Sequence, residues 1–394
     1  MRLDRLHPAR ALLAAVLTLL CAPAAASALA PRVTVALFGD SVVEGYTIPN
    51  PVADSLAPQL ADALGRDGFQ PGGIGFVAAN PTRWRFDHYA LQPPTGTAPS
   101  VANPALGLPA LSTSIPTGGW LMLGDGTEGG QDGLSGYGAL AASPQATATL
   151  AVSDPEVAIL YEGGANAAPF TVAGGARTWT ITPPPAPGPT ESWLAIPRGV
   201  RSLTVHGPST GGLVFEGAIE RLSRSPNKVQ VEVEDLGHAG QPPWIGLTAS
   251  TIAALRAQQF DISVFLDAYI PELSAVVPSD AASAIASYEQ ALTARARVAR
   301  NARGWCVIAD PSPMARVPAS VTARFARVDR TIAARTGCAY TGVLGHAWPA
   351  SSASNRGWTL LDGIHPSAKG YRRLAALLEP LIARLARERV ASEG

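Results

Sequence analysis

Three residues of this chain have the types needed to activate an alcohol for attack on a carbonyl carbon. Ser41 closes Gly39-Asp40-Ser41 at the end of an apolar run, Arg32-Val-Thr-Val-Ala-Leu-Phe38. Near the other end stand Asp362 and His365, in Asp362-Gly-Ile-His365-Pro366, with Lys369-Gly370-Tyr371 behind them. A serine hydroxyl is a weak nucleophile until a base takes its proton, and an imidazole base works best when a carboxylate orients it. The chain order Ser, Asp, His, with the last two almost adjacent, suits that division of labour. Taken singly, each motif has a plainer reading: Gly-Asp-Ser as a turn, Asp362 as a helix cap, His365 as a loop histidine.

The elements around these residues predict how they are presented. The run before Ser41 reads as a buried strand, and Asp54 to Leu64 reads as a helix with Leu56, Leu60 and Leu64 on one face. Strand, tight turn and helix expose a residue at the carboxyl edge of a sheet. From about Phe69 to Pro226 the texture is different, rich in Gly, Pro, Ser and Thr. Short runs such as Ala148–Val152, Val157–Tyr161, Phe170–Val172, Trp179–Ile181, Trp193–Ile196, Ser202–Val205 and Leu213–Phe215 predict an antiparallel sandwich. Pro183 to Pro189, with five prolines among seven residues, predicts an exposed loop.

From Lys228 the pattern turns α/β. Val229, Val231 and Val233 alternate as in a half-buried strand. Ser250–Gln258, Ala281–Ala302 and Val321–Arg335 read as helices, and Ile262–Leu266, Trp305–Ala309 and Ala339–Leu344 as strands. A last helix is expected over Ala368–Glu388, kinked or broken near Pro380. Alternating strands and helices predict a parallel sheet covered by helices, with ligands at the carboxyl ends of its strands.

Composition narrows the function classes. The 394 residues carry 30 basic and 30 acidic side chains, with no basic block, which argues against nucleic-acid or anionic-lipid binding. No His, Cys or acidic cluster has metal-ligand spacing; His88, His206 and His346 are scattered. The first 30 residues read as an export signal: Arg2, Arg5 and Arg10 precede an apolar Ala11–Cys21, and Ala26-Ser27-Ala28 and Ala28-Leu29-Ala30 are small-x-small sites. Leu20 before Cys21 argues against lipidation. Export predicts a secreted, periplasmic or cell-envelope protein with no membrane span after cleavage. In that setting Cys306 and Cys338, on neighbouring predicted strands, are either a disulfide or two buried thiols.

Together these motifs resemble those of the SGNH hydrolases, the GDSL esterase/lipase family. Gly39-Asp40-Ser41 resembles the family's first block, and Asp362 and His365 its last. The resemblance covers 31–68 and 227–390 and is interrupted at 69–226. It implies an SGNH-type parallel sheet flanked by helices, with an inserted antiparallel, jelly-roll-like β-sandwich. It implies Ser41 as nucleophile, His365 as general base and Asp362 as its orienter, with no cofactor and no metal. For the oxyanion hole it implies the Ser41 N–H and Gly240, in Leu236-Gly237-His238-Ala239-Gly240. His238 there is either a substrate contact or a surface histidine.

The family's third block would place an asparagine after the strand ending near Leu266, but this chain reads Asp267-Ala268-Tyr269-Ile270. Three readings stay open: Tyr269 donates instead, Asn166 reaches in from the insertion, or the hole has two donors. The insertion resembles that of bacterial polysaccharide and peptidoglycan O-acetylesterases. Trp84, Trp179 and Trp193 lie in or near it, as core residues or sugar-stacking faces. The expected activity is hydrolysis of an acyl or acetyl ester on a carbohydrate or small molecule through an acyl-enzyme. The alternatives are a lipid esterase, a glycan-binding protein on a weakly active scaffold, and an O-acyltransferase. The oligomeric state is not legible.

Overall fold

The computed structural model describes residues 29–45, 48, 51–73, 75–78, 89–91, 101–103, 108–109, 120–123, 138–141, 145–152, 154–238, 249–267, 281–301, 304–310, 318–344, 356–360 and 365–392. Residues 1–28 of the predicted 1–30 signal therefore lie outside the described residues, as do Trp84, Gly240, Tyr269 and Asp362.

Strand β1 (Arg32–Gly39) leads into the one-turn helix α1 (Ser41–Glu44), then α2 (Pro51–Asp54) and α3 (Leu56–Arg66). Next come β2 (Gln70–Pro71), β3 (Gly75–Ala78), β4 (Tyr89–Leu91), β5 (Val101–Asn103), β6 (Leu108–Pro109) and β7 (Trp120–Leu123). They are followed by β8 (Gly138–Ala141), β9 (Thr147–Ala151), β10 (Glu156–Gly163), β11 (Phe170–Gly174), β12 (Arg177–Ile181), β13 (Gly188–Ala195), β14 (Ser202–His206) and β15 (Leu213–Arg221). The chain then alternates: β16 (Gln230–Gly237), α4 (Ala249–Gln258), β17 (Ile262–Leu266), α5 (Ala281–Asn301), β18 (Trp305–Ala309), α6 (Ala319–Thr336), β19 (Ala339–Thr341) and α7 (Ala368–Ala391).

The first sheet is parallel throughout, in the order β19-β18-β17-β1-β16-β2, so β1 lies at its centre. Two antiparallel sheets, β13-β10-β15-β8-β7 with β3 on β15, and β12-β11-β14-β9-β4, face each other across a separate core that includes Ile159, Phe170, Val172 and Phe215. β5 and β6 pair apart from both. On one face of the parallel sheet, Val35, Leu37, Val231 and Val233 pack against Leu56, Leu60 and Leu64 of α3 and Leu374, Leu378 and Ile382 of α7. On the other face Ala36, Phe38 and Phe265 meet α4, α5 and α6, together with Ala158, Leu160 and Ile219 of the sandwich. The sandwich thus shares a core with the parallel sheet. Cys306 and Cys338 form a disulfide joining β18 to the start of β19.

Three expectations change. β16 is buried along its whole length, not on one face, because the sandwich covers the face away from α3. That puts Glu232 and Glu234 indoors. Glu232 accepts from Arg221 Nε at 2.6 and 2.5 Å, and Arg32 Nε lies 3.8 Å from it. Glu234 accepts from the Phe76 N–H. Burial, and then the neighbouring Glu232 charge, pushes Glu234 well above the ordinary carboxylate range. Second, α7 runs unbroken through Pro380. The carbonyl that proline leaves without a donor, on Ala376, is on the exposed face with Pro380 itself, open to solvent, while the opposite face is held in the core. Third, Pro189 is inside β13, opposite Glu162. β13 is an edge strand, so the missing N–H interrupts no ladder.

Arg221 is the main compensation for a charge with no solvent exposure. Arg221→Met is expected to destabilise the protein by about 3 kcal/mol in urea unfolding, and Arg221→Met with Glu232→Gln to recover most of the loss. Equal losses for the single and double variants would contradict this account of the seam.

Candidate active site

Two glycines let the parallel sheet form a tight platform at its carboxyl edge. A side chain on Gly39 would sit 2.1 Å from the Leu266 carbonyl oxygen of β17 and 2.4 Å from Val43. One on Gly237 would sit 2.2 Å from the Glu44 backbone nitrogen. α1 is therefore pressed onto the ends of β1, β16 and β17. The chain turns from β1 into α1 at Asp40, which is extended, buried, and accepts from the Val42 N–H at 2.9 Å. Gly45 ends the turn in the left-handed region, φ 76°, its N–H bonded to the Ser41 carbonyl at 3.2 Å. Ser41 is thus the first residue of a helix capped at both ends, and it is mostly buried.

The partner arrives on a hairpin. The Leu360 N–H donates to the His365 carbonyl at 2.8 Å and the Ser367 N–H to the Trp358 carbonyl at 2.8 Å, with Thr359 bridging Pro366. Ser367 then caps α7: its hydroxyl oxygen accepts from the Gly370 N–H at 3.1 Å and its O–H donates to the Gly357 carbonyl at 2.6 Å. Trp358 packs against the core that α7 and α3 share. On this frame His365 Nε2 lies 3.0 Å from Ser41 Oγ. In the arrangement where Nε2 accepts, the ring proton is on Nδ1 and Ser41 can hand its proton to the imidazole.

The other sequence candidates are distributed as follows. Asp362 belongs to the four residues that join Leu360 to His365 and lies outside the described residues, as do Gly240 and Tyr269. Asn166 is exposed in the sandwich turn after β10, its carbonyl accepting from the Gly212 N–H at 3.1 Å. Among the described residues, no bond joins it to Ser41 or His365. His238 is not a surface histidine: it is buried at the end of β16, its N–H bonded to the Gly39 carbonyl at 3.0 Å beside the nucleophile turn. Continuation of the parallel ladder one residue past β16 accounts for its burial. Among the described residues, no group of His, Cys, Asp and Glu could hold a metal ion. None of the helices there is long and apolar enough to cross a membrane.

Asp267 is where the third-block asparagine was missing. It follows Leu266, which lies in register with Gly39, and its side chain is buried, with Oδ2 lacking a hydrogen-bond partner among the described residues. Burial pushes its carboxyl up to about 6, with the Arg295 charge pulling the other way. The neighbouring Tyr288 on α5 donates instead to Asp329 on α6, at 2.6 Å.

No protein-family model matches the chain, and no curated protein sequence does. Among solved structures, one described as a peptidoglycan O-acetylesterase in action superposes with a TM-score of 0.63 at 18% identity, over 91% of this chain and 92% of that one. The fold is SGNH-type: a parallel sheet flanked by helices, with an inserted antiparallel β-sandwich. The β-sandwich insertion belongs to the shared fold, since the superposition runs almost end to end on both chains. A family two carbohydrate esterase from Cellvibrio japonicus also matches, at 10% identity and a TM-score of 0.28 over 68% of this chain and 95% of that one. That likeness is too slight to carry an argument.

Sequence reasoning gave no role to three residues that hold the platform and hairpin: Gly237, Trp358 and Ser367. Only Ser367 left a signal, as a capping residue directly before a helix. For Asp267, a carboxyl raised on folding from 3.8 to about 6 binds its proton more tightly in the folded state. It therefore contributes fully below 3.8, and that contribution is lost as pH rises to about 6. Asp267→Asn, which mimics the protonated form, is expected to be more stable than the parent at pH 7.5 by up to about 3 kcal/mol. In urea unfolding the gap narrows toward pH 4.5; a gap independent of pH would contradict the assignment.

Proposed function

We propose that this protein is an exported serine esterase that removes acyl groups, in the first place acetyl, from a carbohydrate. Ser41 is the nucleophile, His365 the general base and Asp362 the residue that orients the imidazole. The observation that carries the reading is the 3.0 Å contact between Ser41 Oγ and His365 Nε2, made by residues 324 apart in sequence. The supporting facts are the strand–turn–helix presentation of Ser41, the SGNH fold with its inserted sandwich, and a disulfide that suits an oxidising compartment.

In this reading Ser41 Oγ attacks the ester carbonyl as its proton passes to His365 Nε2. The oxyanion is held by the Ser41 N–H, which has no intrahelical acceptor at the first position of α1, and by the Gly240 N–H. His365 returns the proton to the leaving sugar oxygen, leaving an ester on Ser41. Water, deprotonated by the same ring, then releases the acid and restores the serine. No cofactor takes part. Residues 31–68 and 227–390 form the hydrolase and 69–226 the module that covers its sheet.

Ser41→Ala and His365→Ala are each expected to lower kcat on acetylated oligosaccharides by at least about 10⁴-fold with the fold retained. A fluorophosphonate probe should label the parent and not Ser41→Ala. Equal labelling of both would overturn the assignment of the nucleophile. Faster turnover of long-chain than of acetyl esters would favour a lipid esterase instead.

A further inference from the structure

From Gly337 to Leu378 the chain carries one acidic residue, Asp362, against four permanent cations: Arg356, Lys369, Arg372 and Arg373. A chain that balances 30 basic against 30 acidic residues overall is thus strongly positive just where it builds the hairpin of His365. The structure gathers three of these cations, Arg356, Lys369 and Arg373. Lys369 Nζ donates to the Arg356 carbonyl at 2.8 Å, and the Arg356 and Arg373 guanidinium carbons lie 4.9 and 5.5 Å from the centre of the Trp358 ring. Trp358 is the stem residue whose carbonyl receives the Ser367 N–H, so these three cations lie at the base of the hairpin that presents His365.

None of the four is paired with a carboxylate among the described residues. Other arginines of α7 are paired: Arg384 with Glu388, Arg387 with Asp67 and Arg389 with Asp261. Arg373 Nε is buried with no acceptor among the described residues. Lys369 lies in the first turn of α7, which holds no acid, at the helix end whose dipole repels cations. Charge of one sign has therefore been placed there against local electrostatics. The Arg356 and Arg373 guanidinium groups are held against an aromatic ring, and neither has a counter-charge among the described residues.

We propose that this cluster is a subsite for an anionic group, a carboxylate or phosphate carried by the glycan next to the ester that is cleaved. The proposal rests on the reading of Ser41 and His365 as the catalytic pair, because it makes the cluster a rim of the same site. It narrows the substrate from a carbohydrate ester to an ester on an acidic carbohydrate. Guanidinium forks bind either oxyanion in the same way, and the stacked ring fixes them in place before the ligand arrives.

Direct binding tests this independently of catalysis. Isothermal titration of the full-length Ser41→Ala protein uses three probes of equal length: a neutral oligosaccharide, an oligouronate and an oligosaccharide bearing a phosphomonoester. At low salt at least one acidic probe is expected to bind more tightly than the neutral one, and the preference should shrink as salt rises. Whichever acidic probe binds better identifies the anion. Arg356→Gln with Lys369→Gln should weaken that binding at least about tenfold, and Arg356→Lys in place of Arg356→Gln should restore part of it. These are surface positions, so thermal midpoints should stay close to the parent's. Equal affinity for all three probes, or acidic-probe binding untouched by the double substitution, would overturn the proposal. Failure of the fluorophosphonate to label Ser41 would instead overturn the catalytic reading.

Discussion

The hydrogen bond between Ser41 and His365 depends on two frames built from different parts of the chain. On one side, β1 is the central strand of a fully packed parallel sheet, and its last residue must be glycine because the Leu266 carbonyl occupies the space of a side chain. On the other side, a two-rung hairpin is tied to the start of α7 through Ser367. The frames meet because α7 lies on the same face of the sheet as α3, in the core that also holds Val35 and Leu37 of β1. A shift in the α7 packing would carry the imidazole away from the hydroxyl. The core on that face is thus part of the chemistry, although none of its side chains touches the reacting atoms.

The β-sandwich is not an appendage. Ala158, Leu160, Ile219 and Phe76 share a core with Phe38 and Phe265, and the Phe76 N–H is bonded to a glutamate of the central sheet. Without this cover, β16 would expose Leu236 and two carboxyls whose partners come from the sandwich side, Arg221 among them. Burying Glu232 against Arg221 carries a desolvation cost that well-packed apolar residues would not incur. Such a pair fixes the register between two layers more sharply than it stabilises them.

Much of the fold was legible in the sequence because its signals are local. The apolar run ending at Ser41, the spacing of Leu56, Leu60 and Leu64, and the short strands between prolines and glycines each report on a neighbourhood of a few residues. The parts that were missed need a partner from elsewhere. Val231-Glu232-Val233-Glu234 alternates like a half-buried strand, and nothing in it announces a sandwich that will cover the glutamates. Pro380 reads as a break until its helix face is known to be the solvent side. His238 reads as a loop residue until the ladder is seen to extend past Gly237. At the site, Ser41 and His365 could be named from residue type and order. The hairpin around Trp358 joins positions whose pairing leaves no periodic trace.

The most direct test is the covalent state of Ser41 during turnover. Parent protein is mixed with an acetylated oligosaccharide, quenched in acid within the first turnovers, digested and mapped by mass spectrometry. The account predicts an acetyl group on the peptide that contains Ser41, absent when His365 is replaced by alanine. Turnover with no acetylated Ser41, or acetyl accumulating on another residue, would contradict it.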